Sequence, residues 1–195
     1  MEIHDCSLWD RLKKFTILAK GRTPRVIPIS TRFKMFESIL SGVKYIQDRG
    51  FKHLDLKPSN ILLNTRKDGS WNERDCRITD FGIGGKIDRQ TGRAGTPGFT
   101  SPEQLIQNGT QKSDNYSLGK LMVMLFSEWD TAWNILYQPI TELDRNNIYC
   151  NLGNERLKVF SVILGLLNVS EIRPNLAELK HKLARSNGSI GIDRS

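Results

Sequence analysis

The sequence feature that most constrains the fold is a pair of short motifs in the first half of the chain. Residues 53–60 read His-Leu-Asp-Leu-Lys-Pro-Ser-Asn, and residues 80–82 read Asp-Phe-Gly. In the first motif, Asp55 can accept the proton of a hydroxyl group, and Lys57 follows on the same face of an extended loop. The asparagine that ends this motif and the aspartate that opens the second offer the hard oxygen ligands that Mg²⁺ prefers. Together these groups supply the base, the cation and the metal ligands that phosphoryl transfer needs.

At these residues the chain resembles the eukaryotic protein kinase family, whose pattern is His-Arg-Asp-Leu-x-x-x-x-Asn followed by Asp-Phe-Gly. A lysine two residues after the aspartate is typical of the Ser/Thr branch of that family. Three later segments occur in the family's order. Residues 95–103 resemble the end of an activation segment, residues 112–119 the start of the buried F helix, and residues 172–174 a late Arg-Pro element. Five motifs in one order predict kinase ancestry.

The resemblance implies a role for each residue that matches these motifs. Asp55 is expected to act as the general base, and Lys57 to steady the transferring phosphate. Asn60 and Asp80 are expected to hold Mg²⁺ and, through it, to bind ATP. Leu62 is expected to form the apolar floor beneath adenine, and a plain core position in a short strand is the alternative.

The start of the chain resembles the hinge of the family, the strand whose backbone contacts adenine. Glu2 and His4 are therefore predicted to bind the nucleotide. No Gly-x-Gly-x-x-Gly loop and no Val-Ala-x-Lys precedes the first motif. We therefore expect the small N-terminal lobe to be absent. Residues 1–185 are expected to form the large lobe alone, from the hinge to the last helix, and residues 186–195 a flexible tail.

The resemblance also implies structural roles and one departure. A buried Asp114 is expected to accept backbone N–H groups of the catalytic loop, and Glu103 is expected to pair with Arg173. Leu54 replaces an arginine that, in the family, pairs with a phosphorylated residue of the activation segment. Phosphorylation of Thr91 is therefore not expected to switch the protein on through the catalytic loop.

Hydrophobic periodicity predicts a mainly helical chain. The resemblance implies a mainly α, kinase-like C-lobe, built as a helical bundle with short β-hairpins at the catalytic loop. Helices are predicted over residues 7–19, 30–49, 118–126, 154–167 and 176–184. Gly50 is a natural C-terminal cap for the second of these. Residues 118–126 are apolar almost all round, which is typical of a buried helix. The polar residues 64–75 predict an enlarged hairpin before a short extended segment.

Composition limits the classes of function. With 195 residues, of which 38% are hydrophobic, the chain can bury one sizeable core. The net charge of +8 is spread along the chain without an RNA-binding signature, so nucleic acid is not an expected partner, and acidic substrates are favoured. No apolar run is long enough for a membrane span, and no export signal is visible. Three scattered cysteines indicate a reducing compartment, the cytoplasm or the nucleus.

Two functions remain open at this point. The first is a Ser/Thr protein kinase that transfers the γ-phosphate of Mg·ATP to hydroxyl groups of protein substrates. The second is a truncated, kinase-like module that binds or regulates partners without catalysis. Without a small lobe, Ile3, Leu62 and Phe81 would lie partly bare on the cleft floor, and a partner chain covering them would complete the fold.

Overall fold

The computed structural model describes residues 6–17, 27–65, 71–127, 132, 136, 156–168 and 170–179. The described helices are α1 (Leu8–Ile17), α2 (Ile29–Asp48), α3 (Pro102–Ile106), α4 (Gln111–Phe126) and α5 (Arg156–Leu166). The described strands are β1 (Cys6–Ser7), β2 (Phe51–Lys52), β3 (Ile61–Thr65), β4 (Trp71–Ile78) and β5 (Gly85–Lys86). Helices with small antiparallel sheets agree with the predicted fold class.

The strands form two separate antiparallel sheets. One has the order β1-β3-β4, and the other pairs β2 with β5. The central hairpin pairs Ile61 with Ile78 and Thr65 with Trp71, with an irregularity between Leu63 and Thr65. The first motif therefore runs into one strand of this hairpin, and the second motif leaves from the other.

Helix α2 forms where the periodic pattern predicts it. Its buried side chains recur at helical spacing, and the helix packs against β4. They are Met35, Phe36, Ile39, Leu40 and Val43. Gly50 has a φ of +74°, and its N–H donates to the carbonyl oxygen of Gln47 at 2.9 Å. This confirms the predicted glycine cap, because a left-handed residue there closes the helix end.

Helix α4 is the buried centre of the described fold. Every residue of the helix is buried except Gln111, Lys112 and Tyr116. Its start is fixed by a capping box, in which the Thr110 side chain accepts from the Lys112 N–H and the Ser113 hydroxyl accepts from the Thr110 N–H. The predicted buried helix is thus confirmed, and it begins seven residues earlier than its apolar run.

The predicted hairpin is present, and its second strand is longer than the short extended segment expected. Residues 71–75 also belong to β4, because β3 continues to Thr65 and gives them a partner strand. Their polar character is compatible with a strand that is only partly buried: Asn72, Glu73 and Asp75 are all intermediate in exposure.

Several predictions fall outside the described residues. These are the hinge with Glu2, His4 and Ile3, and the tail at residues 186–195. Of the helix predicted at 176–184, residues 176–179 are described and are helical. Within the described ranges, none of the helices combines the length and the hydropathy that crossing a bilayer requires.

Candidate active site

The catalytic loop is held by a carboxylate from the buried helix. Asp114 Oδ2 accepts the N–H of His53 at 2.8 Å, and Oδ1 accepts the N–H of Leu54 at 2.6 Å. Leu54 has a φ of +68°, a conformation that is unfavourable for leucine and that the two hydrogen bonds help to hold. Burial raises the pKa of Asp114 to about 7, against the opposing effect of these donors and of the Lys52 charge. The predicted structural role of Asp114 is confirmed.

His53 connects the two motifs. Its Nε2 lies 2.9 Å from the carbonyl oxygen of Thr79, and its Nδ1 accepts the N–H of Asp55 at 3.2 Å. This arrangement places the proton on Nε2 of a neutral ring. Burial lowers the pKa of His53, which also favours the neutral form. The ring packs against Phe81 with centroids 4.7 Å apart, so the Asp-Phe-Gly turn rests on the catalytic loop.

Asp55, Lys57 and Thr96 form a three-membered hydrogen-bonded cluster. Lys57 Nζ lies 2.7 Å from Asp55 Oδ2 and 2.7 Å from Thr96 Oγ1. The Thr96 hydroxyl donates to Asp55 Oδ1 at 2.5 Å. The side chains of Asp55 and Lys57 are 14% and 23% exposed, so this cluster opens to solvent. Thr96 therefore lies beside the Asp55 carboxylate, at a position that is partly open to solvent.

Sequence reasoning did not assign a role to Thr96. It lies in the motif at residues 95–103, but 41 positions separate it from Asp55. Only the return of the activation segment, residues 80–103, over the catalytic loop brings the two together. The residue before it has no room for a side chain, because a Cβ at Gly95 would clash with Thr100 Oγ1. Such close packing fixes the backbone around residue 96.

Asn60 ends a short 3-10 turn that runs from Pro58 to Asn60. Its Nδ2 donates to the Asp55 carbonyl oxygen at 2.9 Å, so the amide oxygen is the atom that can ligate a metal. The carbonyl oxygen of Asn60 accepts the N–H of Thr79 at 3.0 Å. This bond continues the hairpin register by one pair and places Asn60 beside the residue that precedes Asp80.

Asp80 adopts a left-handed backbone conformation with a φ of +63°. Aspartate tolerates this conformation better than most residues. Its Oδ1 accepts the Gly82 N–H at 3.2 Å, and its side chain is exposed. A carboxylate and an amide oxygen fit Mg²⁺, which takes one or two protein ligands and completes its shell with phosphates and water. In the described part of the chain, no three His, Cys, Asp or Glu side chains cluster as metal ligands.

Leu62 lies in β3, opposite Ser7 of β1 and Arg77 of β4. It is half-buried, whereas its neighbours Ile61 and Leu63 are fully buried. Successive side chains of a strand point to opposite faces, so Leu62 lies on the face opposite to Ile61 and Leu63, and that face is only partly covered. The intermediate exposure of Leu62 therefore favours its position on a surface beside the site, and contact with adenine stays a prediction.

The chain matches the sequence model of the protein kinase domain over residues 2–178. That match covers most of the chain. The chain belongs to the protein kinase domain family.

Individual kinases are identical to the chain at about one aligned residue in three. Eukaryotic translation initiation factor 2-alpha kinase 1 of Mus musculus is 33% identical over 98% of this chain and 33% of its own length. CBL-interacting protein kinase 30 of Oryza sativa is 32% identical over 63% of this chain and 26% of its own length. Interferon-induced, double-stranded RNA-activated protein kinase of Rattus norvegicus is 31% identical over 76% of this chain and 30% of its own length. The chain thus spans a third or less of these relatives.

Proposed function

We propose that this chain is the catalytic lobe of a Ser/Thr protein kinase, which transfers the γ-phosphate of ATP to a hydroxyl group of a protein substrate. The observation that carries the proposal is the cluster of Asp55, Lys57 and Thr96. It sets a carboxylate and an ammonium group side by side at a partly exposed position. These are the two charges that deprotonate a hydroxyl and stabilise a transferring phosphoryl group.

In the proposed reaction, the substrate hydroxyl lies beside Thr96 and donates to the Asp55 carboxylate. Its oxygen forms a bond to the γ-phosphorus, its proton passes to the Asp55 carboxylate, and the bond from phosphorus to the β-phosphate oxygen breaks to release ADP. Lys57 keeps its charge against the phosphoryl oxygens throughout. Asn60 and Asp80 would hold Mg²⁺, which would neutralise charge on the phosphates.

The test is transfer of labelled γ-phosphate from Mg·ATP to a mixed Ser/Thr protein substrate. Asp55→Asn removes the base and Asp80→Asn a metal ligand, and each is expected to lower transfer by about 10²-fold or more. Lys86→Met is the matched control, because Lys86 is exposed in β5 and outside the cluster. Transfer that survives both active-site substitutions would overturn the proposal.

One observation favours a second function, a binding module without catalysis. Phe81 is 46% exposed although its ring packs against His53 on one side. Exposed apolar side chains beside a site can form part of a surface that a partner covers. Here the occupant would be a partner chain completing the cleft. Absence of labelled transfer, combined with a partner contact that Phe81→Ser removes, would select this function.

We also place the protein in a reducing compartment, the cytoplasm or nucleus. Burial raises the pKa of Cys76 to about 12, so that this cysteine stays a thiol. The proposed partners are protein substrates, and the spread of positive charge over the sequence favours acidic segments in them.

A further inference from the structure

Lys52 is a buried lysine that the proposed reaction does not use. It is only 2% exposed. Its Nζ donates to three backbone carbonyl oxygens, those of Arg89 at 2.8 Å, Gly109 at 2.9 Å and Ile87 at 3.3 Å. An ammonium group has three donors, so all of them are satisfied inside the protein. Two of the acceptors belong to the activation segment, and Lys52 itself immediately precedes the catalytic loop.

Gln104 makes a second connection of the same kind. It is 1% exposed, and its Nε2 donates both to the carbonyl oxygen of Leu54 and to that of Ala94. The first acceptor belongs to the catalytic loop and the second to the activation segment. Lys52 and Gln104 therefore attach the segment to the loop at two points, on either side of residues 90–93.

The backbone that leads up to the first of these points is also closely docked. β2 pairs with β5, and a Cβ added at Gly84 would lie 2.6 Å from the Lys52 carbonyl oxygen and 2.8 Å from that of His53. The Ile87 N–H donates to the carbonyl oxygen of Gly50 at 2.7 Å. The first part of the segment thus lies directly on the strand that carries Lys52.

No cation is available at position 54 to hold this segment through a phosphate. Leu54 is 2% exposed, and a Cβ added at Gly109 would lie 2.6 Å from its Cδ2. The leucine therefore fills an apolar contact with the same turn whose carbonyl oxygen Lys52 binds. The segment is instead contacted by the buried Lys52, two residues before Leu54.

We propose that Lys52 and Gln104 are positioning residues that dock the activation segment on the catalytic loop in the unmodified chain. They act through backbone carbonyl oxygens, which are present whether or not the segment is phosphorylated. Docking carries Thr96 to Asp55 and completes the cluster beside the base. The consequence for catalysis, an activity independent of segment phosphorylation, rests on the proposed function; the docking itself does not.

The docking is tested by hydrogen exchange with mass spectrometry on the full chain after phosphatase treatment. Lys52→Met removes the ammonium group and keeps the length of the side chain. Exchange of peptides that cover residues 84–94 is expected to rise roughly tenfold, while peptides of the β3–β4 hairpin stay unchanged. Lys86→Met, an exposed lysine in the same segment, is the control and is expected to behave like the wild type.

Gln104→Leu provides an independent variant and decides the matter if Lys52→Met does not fold. It removes the Nε2 donor from the second connection, so faster exchange is expected at residues 92–96 in particular. Exchange that stays at the wild-type rate in the folded variants would overturn the proposal. So would a segment in the wild type that becomes protected only after phosphorylation.

Kinetics separate this proposal from the proposed function. The phosphatase-treated wild type is expected to keep its rate of transfer, and Thr91→Glu is expected to change it less than twofold. Lys52→Met is expected to raise KM for the protein substrate at an unchanged KM for ATP. If the wild type transfers no phosphate, the proposed function fails, and the exchange experiment still decides whether the segment is docked by Lys52 and Gln104.

Discussion

Arg173 and Glu103 form a two-pronged ion pair across 70 positions of sequence, with Nη1 2.5 Å from Oε1 and Nη2 3.2 Å from Oε2. The Arg173 side chain is fully buried. It also donates to the carbonyl oxygens of Lys112 and Asn168. Although burial by itself raises the pKa of Glu103, the hydrogen bond from Arg173 brings it below its usual value. The ion pair predicted from the sequence is confirmed. It holds the end of the activation segment against the turn that precedes the helical residues 176–179.

Removal of one partner of this pair is expected to be costly. Arg173→Met leaves the Glu103 carboxylate in a partly buried place without its cation, and stability is expected to fall by about 3–5 kcal/mol. The double variant Arg173→Met, Glu103→Gln removes the stranded charge and is expected to recover part of that loss. Urea unfolding measures both. A single variant with the stability of the wild type would show that the pair contributes little.

The hydroxyl of Thr96 is expected to matter for rate more than for folding. Thr96→Val keeps the shape of the side chain and removes hydrogen bonds to the two charged groups of the cluster, Asp55 and Lys57. Such bonds contribute about 1.5–3 kcal/mol each, so kcat/KM is expected to fall roughly tenfold to a hundredfold. Thr96→Ser retains the hydroxyl and is expected to stay near the wild type. Equal rates for the valine and serine variants would contradict the assigned role.

Alanine substitutions at two glycines are expected to have opposite effects on stability. At Gly84 the added methyl group meets backbone carbonyl oxygens at 2.6 and 2.8 Å, which cannot move aside cheaply, so Gly84→Ala is expected to destabilise by about 1–3 kcal/mol. At Gly165, inside α5, the nearest atom lies 3.7 Å away. Gly165→Ala is expected to stabilise by about 0.5–1 kcal/mol, because alanine lowers the entropy lost on helix formation. Thermal unfolding of the two variants compares them directly, and a shift of the same sign in both would contradict this explanation.

The buried Lys120 is expected to make the stability of the protein depend on pH in a specific way. It is 5% exposed in α4, and burial lowers its pKa from 10.5 to about 8. Between these two values the unfolded chain binds more protons than the folded chain, so this residue makes stability rise as the pH increases from about 8 toward 10.5. Lys120→Met is expected to lack this rise.

The measurement is urea unfolding of the wild type and of Lys120→Met at several pH values across that window. Other titrating groups act on both proteins, so the difference between the two curves isolates Lys120. The difference is expected to be largest at the lower end, where the folded wild type carries a buried charge, and to shrink toward higher pH. A constant difference across the window would show that the lysine titrates normally.

The local elements and the residues of the two motifs could be predicted from sequence. Periodicity predicted α2 and its Gly50 cap, and the apolar run predicted α4, because both signals depend on residues that are close together in the sequence. Motif order predicted Asp114, Glu103 and Arg173 as structural groups. Thr96 and Gln104 were missed as functional groups, since their partners Asp55 and Leu54 lie more than 40 positions away.

By itself the sequence determined the chemistry available to this protein, namely a carboxylate, an ammonium group and oxygen ligands in family order. It also determined that no arginine stands at position 54. Only the tertiary structure decided that a buried lysine and a glutamine hold the activation segment in its place. The physical reason is that Lys52 and Gln104 bind main-chain carbonyl oxygens, which every residue possesses. The sequence therefore does not show which carbonyl oxygens act as acceptors, and only the folded backbone shows which of them lie within reach.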